Sequence, residues 1–189
     1  RSIFLGTGWG SLSETHDFLQ KLFTSGGRFT SPTDFIGSVH NAPAGQAAIH
    51  FQATGPNVTI TGGDCTFEQA LFCADLLSRN EPLLLVGADE YHETLSPRFD
   101  ASVARAGTPA DGGGALYLSR QQSGASCQVV VPFIAYAGTA APDIPAMISA
   151  LGGAARIRDR FGLVLVGIPS AQREKGEEQL AAFRTLTGF

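Results

Sequence analysis

The sequence predicts an α/β fold with a mixed, mainly parallel sheet, on three observations. Residues 55–90 run strand, tight turn, apolar helix, strand, an order whose crossover makes the two strands parallel. Residues 83–86, Leu-Leu-Leu-Val, form a continuous apolar run suited to a strand covered on both faces. The composition is globular: 189 residues with 43% hydrophobic and 16% charged can bury a core and are too apolar for a disordered chain.

Each element has its own signal. Residues 2–6 read as a short strand running into Gly6-Thr7-Gly8-Trp9-Gly10. No Lys-Ser/Thr follows and G-x-G-x-x-G is incomplete, so this is a turn bringing a helix onto a sheet rather than a phosphate loop. Residues 12–23 read as a helix with Ser13 as cap and Leu12, Phe18, Leu19, Leu22 and Phe23 apolar. Residues 26–37 read as a loop. Residues 38–51 read as a helix of small residues, suited to close internal packing or a subunit interface. In residues 57–61, Val58 and Ile60 alternate against Thr59 and Thr61 as in a strand.

Gly62-Gly63 then opens backbone angles closed to other residues. Asp64, Cys65 and Thr66 sit where a helix should begin, and Asp and Thr are natural caps. Phe67, Ala70, Leu71, Ala74 and Leu77 follow at helical spacing, with Phe72, Cys73 and Leu76 on the other side. A helix this apolar all round belongs in a core. Pro82 precedes the 83–86 strand. Residues 91–113 form a long connection, a length usual for functional loops. Residues 114–119 read as the next strand and 121–126 as a polar hinge. The hinge separates 1–120 from 127–189, unless the chain is one compact domain. Beyond it, 127–136 read as a β run and 143–161 as a helix interrupted by Gly152-Gly153. Residues 163–168 read as a buried strand, and 174–184 as a helix with Leu180, Ala181 and Phe183 inward.

Composition also excludes function classes. The net charge of −4, with no Lys/Arg cluster, argues against a nucleic-acid footprint. The apolar runs are too short to span a bilayer, so no membrane insertion is expected. No stretch reads as a signal peptide. Arg1 already lies within a strand-like run, so a natural N-terminus upstream of it is expected. Cys65, Cys73 and Cys127 are odd in number and set in apolar surroundings. They read as reduced thiols of a cytoplasmic protein, with no metal motif and no cofactor.

The chemistry is expected at the turn before the apolar helix. A residue at a helix N-terminus meets unpaired N–H groups and the positive end of the dipole. A thiol there ionises more easily, and a carboxylate there is stabilised. Asp64 reads equally as a plain cap. His40 and Asn41 open the 38–51 helix, where they cap it or face a site. His16, His50 and His92 read as ordinary surface or boundary residues.

Three segments in this order resemble the β-ketoacyl synthases of the thiolase superfamily. GPNVTITGGDCTFEQALFCADLL…LLLVGADE resembles their nucleophile segment, where a Cys opens a buried helix. SVHNAPAGQAAI resembles their Asn-x-x-Ala-Gly segment, and PRFDASVARAGTPADGGGALYL their Arg-Pro-Phe-Asp segment with its Gly-rich following strand. The resemblance implies a thiolase-like layered α-β-α fold with a buried central helix. The chain would hold the first half, lacking its first strand and helix, and the start of the second. It also implies that the 91–113 connection walls an acyl pocket, with Phe99, His40 and Asn41 beside it.

The departures carry the functional expectation. Laid without gaps, the family's catalytic Cys falls on Asp64, and Cys65 is one residue late. One helical step turns a side chain by about 100°, so Cys65 should point away from the nucleophile's place. A carboxylate is no thioester nucleophile. Where the family's His-Gly-Thr-Gly-Thr motif would follow a strand, this chain has Gly167-Ile168-Pro169-Ser170-Ala171-Gln172, and no His follows His92. Ser170 and Gln172 can donate hydrogen bonds but cannot replace an imidazole. The pattern is more similar to a short chain-length-factor-like subgroup. That implies a catalytically silent subunit pairing with an active ketosynthase, or with a second copy, in fatty acid, polyketide or polyene lipid synthesis. Its contacts would be an acyl carrier protein or its acyl chain. The alternative is a working ketosynthase or acyltransferase in which Cys65 takes the acyl group as a thioester.

Overall fold

A computed structural model describes residues 1–28, 31–101, 111–121, 128–131, 143–168 and 172–189. The chain divides into two compact units, Arg1–Ala125 and Ser126–Phe189.

The first unit is built on a sheet of order β2-β1-β3-β4. Strands β1 (Ser2–Thr7), β2 (Asn57–Thr61) and β3 (Leu83–Asp89) are mutually parallel through β1, and β4 (Gly112–Leu118) runs antiparallel to β3. β1 is central and buried along its whole length. Two parallel crossovers run in opposite directions across the sheet, one from β1 to β2 and one from β2 back past β1 to β3. Crossovers of one hand that run in opposite directions must lie on opposite faces. Accordingly α3 (Ala42–His50) covers one face and α4 (Thr66–Leu77) the other. Ile3 and Leu5 pack with Ala44, Leu84 and Val86 on the α3 face. Phe4, Leu83 and Leu85 pack with Ala70 and Ala74 on the α4 face. The Leu83–Val86 run is therefore covered on both sides, as its sequence requires.

Glycine decides how close α4 comes. A Cβ on Gly6 would sit 2.6 Å from the Thr66 carbonyl oxygen, and one on Gly87 2.7 Å from the Phe67 ring. The first turn of α4 thus rests directly on the ends of β1 and β3. Ala70 and Ala74 face the sheet, while Phe72 and Leu76 on the far side, and Leu77 at the end of the helix, stay open to solvent within this unit. A helix apolar all round needs a second layer, and one sheet covers one side only.

Two boundaries differ from the sequence reading. Within the expected 26–37 loop lies α2 (Pro32–Ser38), capped by Ser31, whose hydroxyl accepts from the Asp34 N–H. Ser-Pro at a helix start was the missed signal. The helix expected from residue 38 begins at Ala42, because Pro43 favours a first turn and disfavours helical residues before it. In addition, α1 (Leu12–Thr24) takes Ser11, not Ser13, as its cap residue. It packs on α2 through Phe18 and Phe35, ring centroids 5.7 Å apart, and the Lys21–Asp34 ion pair at 2.7 Å.

Within the second unit, α6 (Ile144–Ala150), α7 (Ala154–Arg160) and α8 (Arg173–Thr187) enclose Ile148, Ile157 and Phe183. Asp143 caps α6 by accepting from the Ala146 N–H. The glycine pair does break the long helix, with Gly152 and Gly153 at φ 94° and 90°. The segment expected as a strand at 163–168 pairs with no strand among the described residues, and Leu163 and Leu165 are 70% and 84% exposed. Gln128–Val131 of the expected 127–136 run are also outside any strand, and 132–136 lie outside the described residues. Ala181 is exposed and Thr187 buried instead, which moves the buried stripe of α8 one turn along.

Candidate functional site

Parallel strands send their outgoing loops to one edge. The carboxyl ends of β1, β2 and β3 therefore gather three turns: 7–10, 62–65, and the connection from Asp89 to α5 (Ser96–Phe99). Open α/β sheets bind ligands at this edge. The three turns touch. The Gly63 N–H donates to the Gly8 carbonyl at 3.1 Å. Trp9 stacks on Phe99 with centroids 6.3 Å apart and planes at 22°. A Cβ on Gly10 would meet the His40 ring at 2.6 Å, so His40 lies against this turn from the start of α3. A groove of ≈ 640 Å³ opens between Phe67, Thr66 and the glycines of β3 and β4.

The 62–65 turn is left-handed. Gly63 has φ 78° and Cys65 φ 64°, ψ 16°. A non-glycine residue in this region is strained by about 1–2 kcal/mol, and such strain concentrates at functional sites. Cys65, not Asp64, is the residue preceding α4, and its side chain makes no cap hydrogen bond. Asp64 is exposed and has no hydrogen-bond or ion-pair partner among the described residues, so the cap expected of it is not present. The 100° rotation argument does not apply, because neither residue is inside the helix.

The electrostatics of the turn run against a reactive thiol. Partial desolvation, then the carboxylates of Glu68 and Asp64, push the Cys65 thiol above its ordinary value. Two acidic neighbours thus oppose what the helix terminus offers. No histidine hydrogen-bonds Cys65 among the described residues. Cys73 is half-buried against the α4–sheet core. Cys127 and Ser170 lie outside the described residues.

Phe99 is 62% exposed, which rules out plain core packing and leaves one ring face on Trp9. Asn41 is exposed and makes no side-chain cap bond. His16 and His92 are half-buried boundary residues with partners the sequence did not show. Their rings lie 4.6 Å apart, and His92 Nδ1 accepts from the Thr94 and Leu95 N–H groups at 3.2 Å each, shaping the turn before α5.

Sequence reasoning missed two contributors, Trp9 and Asp89. Asp89 Oδ1 accepts from Thr7 Oγ1, Gly8 N and Trp9 N at 2.9, 2.8 and 3.2 Å. Glu90 accepts from Ser13 N and Oγ at 2.6 and 3.2 Å, at the positive end of α1. The paired acids after an apolar run were the available signal.

Residues 3–134 match the family model for the N-terminal domain of β-ketoacyl synthase. The chain belongs to that family. The fold agrees with two solved structures. One is a ketosynthase, ApeO, in complex with its chain length factor, ApeC, from Xenorhabdus doucetiae. It is 26% identical with TM-score 0.52, covering 65% of this chain and 50% of that one. The other is the ishigamide ketosynthase/chain length factor, 23% identical with TM-score 0.67, covering 98% of this chain and 55% of that one. The chain thus spans about half the length of each. No curated protein matches it. Among the described residues, no helix of this ketoacyl-synthase domain is long and apolar enough to cross a membrane.

Proposed function

We propose that this domain is a catalytically silent, chain-length-factor-type partner of an active ketosynthase in cytoplasmic fatty acid, polyketide or polyene lipid synthesis. The observation that carries the reading is the turn at Asp64–Cys65. The resemblance puts an acid at the family's nucleophile position, and partial burial, Glu68 and that acid all push the neighbouring thiol above its ordinary pKa. Its part in the assembly is shape. Trp9 and Phe99 wall the acyl pocket, and the open edge of β2 is the pairing surface, beside a ketosynthase rather than a second copy. An acyl carrier protein delivers the chain that the pocket measures.

The left-handed Cys65 favours a second reading, a working ketosynthase with Cys65 as nucleophile, because strain of this kind marks reacting residues. One experiment separates the two. The purified chain is incubated with acyl-loaded carrier protein beside an active ketosynthase, and intact masses are taken. No adduct on this chain while the ketosynthase loads is the expected result. A stable acyl group mapped to Cys65 establishes the second reading instead.

A further inference from the structure

We infer that Asp89 is a positioning residue for the aromatic wall, acting through the turn that carries Trp9. The inference rests on the reading of Trp9 and Phe99 as pocket wall, and extends it to a residue with no place in that wall.

The turn at 7–10 is tied to the end of β3 more than to itself. Asp89 Oδ1 takes three donors, the Thr7 hydroxyl and the Gly8 and Trp9 N–H groups, and Oδ2 takes Gly8 again at 3.0 Å. The Thr7 hydroxyl, donating to Asp89, accepts in turn from the Gly10 N–H at 2.9 Å. One carboxylate therefore organises every residue from 7 to 10. Charge-assisted hydrogen bonds of this kind are stronger than neutral ones. Among the described residues no cation pairs with Asp89, so its acceptor capacity is spent on this turn. Both rings of the stack are thereby referred to one strand end. Phe99 follows β3 along the chain, through the turn that His92 shapes, and Trp9 is tied back to β3 by Asp89. Remove the carboxylate and Phe99 keeps its tether while Trp9 loses its own.

Trp9 is the only tryptophan of the chain, so its emission reports this turn alone. The full chain is compared with Asp89→Ala, Asp89→Asn and Thr7→Val. In Asp89→Ala, at unchanged far-UV circular dichroism, emission shifts to the red and acrylamide quenching rises about twofold, as local opening exposes the ring. Asp89→Asn retains an Oδ1 acceptor and recovers most of the native signal. Thr7→Val, nearly isosteric, moves it less and in the same direction. Native emission and quenching in a folded Asp89→Ala overturn the inference. Should that variant not fold, native quenching in Thr7→Val overturns it equally. A medium-chain acyl-pantetheine supplies the second arm. It perturbs Trp9 emission in the native chain, and less in Asp89→Ala. A native chain that ignores the probe overturns the wall reading, and the tether is then judged by acrylamide alone.

Discussion

Two stretches of this chain are nearly the same sequence and differ in structure. Residues 83–88 read Leu-Leu-Leu-Val-Gly-Ala and residues 163–168 Leu-Val-Leu-Val-Gly-Ile. The first is a strand between two hydrogen-bonded neighbours, its side chains covered by α3 and α4. The second pairs with no strand among the described residues, and Val164 is its member packed against the described core of that unit. An apolar run supplies side chains for two faces, but its backbone donors and acceptors need strands on each side. The first unit provides them and the described part of the second does not. Apolar continuity states what a strand can bury, and pairing decides whether it becomes one.

The largest test of that contrast is truncation at equivalent positions. Leu85→Ala removes a fully buried side chain and should cost about 2–5 kcal/mol, whereas Leu165→Ala should stay within about 0.5 kcal/mol. Denaturant midpoints of the two variants check this, and equal losses would mean that 163–168 is as well supported as β3.

Next in size is the approach of α4 to the first unit's sheet. Gly6→Ala forces a Cβ onto the Thr66 carbonyl, and about 1–3 kcal/mol of stability should be lost with the turn displaced. Gly45→Ala on α3, where a Cβ meets nothing within 4 Å, is the control and should be neutral or slightly stabilising.

A smaller effect, of opposite sign, sits on the edge strand. Thr59 Oγ1 is buried with no partner among the described residues. Thr59→Val keeps the shape and removes the orphan hydroxyl, so thermal unfolding should rise by the equivalent of about 1 kcal/mol. A loss would show that the hydroxyl is satisfied in solution.

The smallest effect is on protonation at the turn. Partial burial, then Glu68 and Asp64, raise the Cys65 pKa, so the thiolate fraction near neutrality falls below that of an ordinary cysteine. Asp64→Asn removes one negative neighbour and must lower the pKa. The midpoint of the iodoacetamide rate against pH, mapped to Cys65, should therefore move down. A midpoint that rises or stays fixed removes Asp64 from the electrostatics of the site.

Less of the site than of the frame was legible in the amino-acid order. Four strands and α4 were legible because period-two alternation, a continuous apolar run and a glycine pair are local signals. One helix was missed and the start of another misplaced where proline outweighed the apolar pattern. Phe99 was legible by resemblance, but its partner Trp9 lies 90 residues away in sequence and meets it only because β1 and β3 are parallel neighbours. Asp89 looked like the end of a strand for the same reason. Its role depends on donors some 80 residues distant, which no local pattern encodes.

By itself, then, the amino-acid order determined the α/β class, the strand–turn–helix–strand frame and the acidic turn beside Cys65. These follow from short-range periodicity, turn chemistry and the charges of adjacent residues. The tertiary structure alone decided that three turns share one sheet edge, that Cys65 rather than Asp64 precedes α4, and that 163–168 finds no partner strand among the described residues. Those depend on strand order and on which backbone groups find partners, and both are set by contacts between residues far apart in the chain.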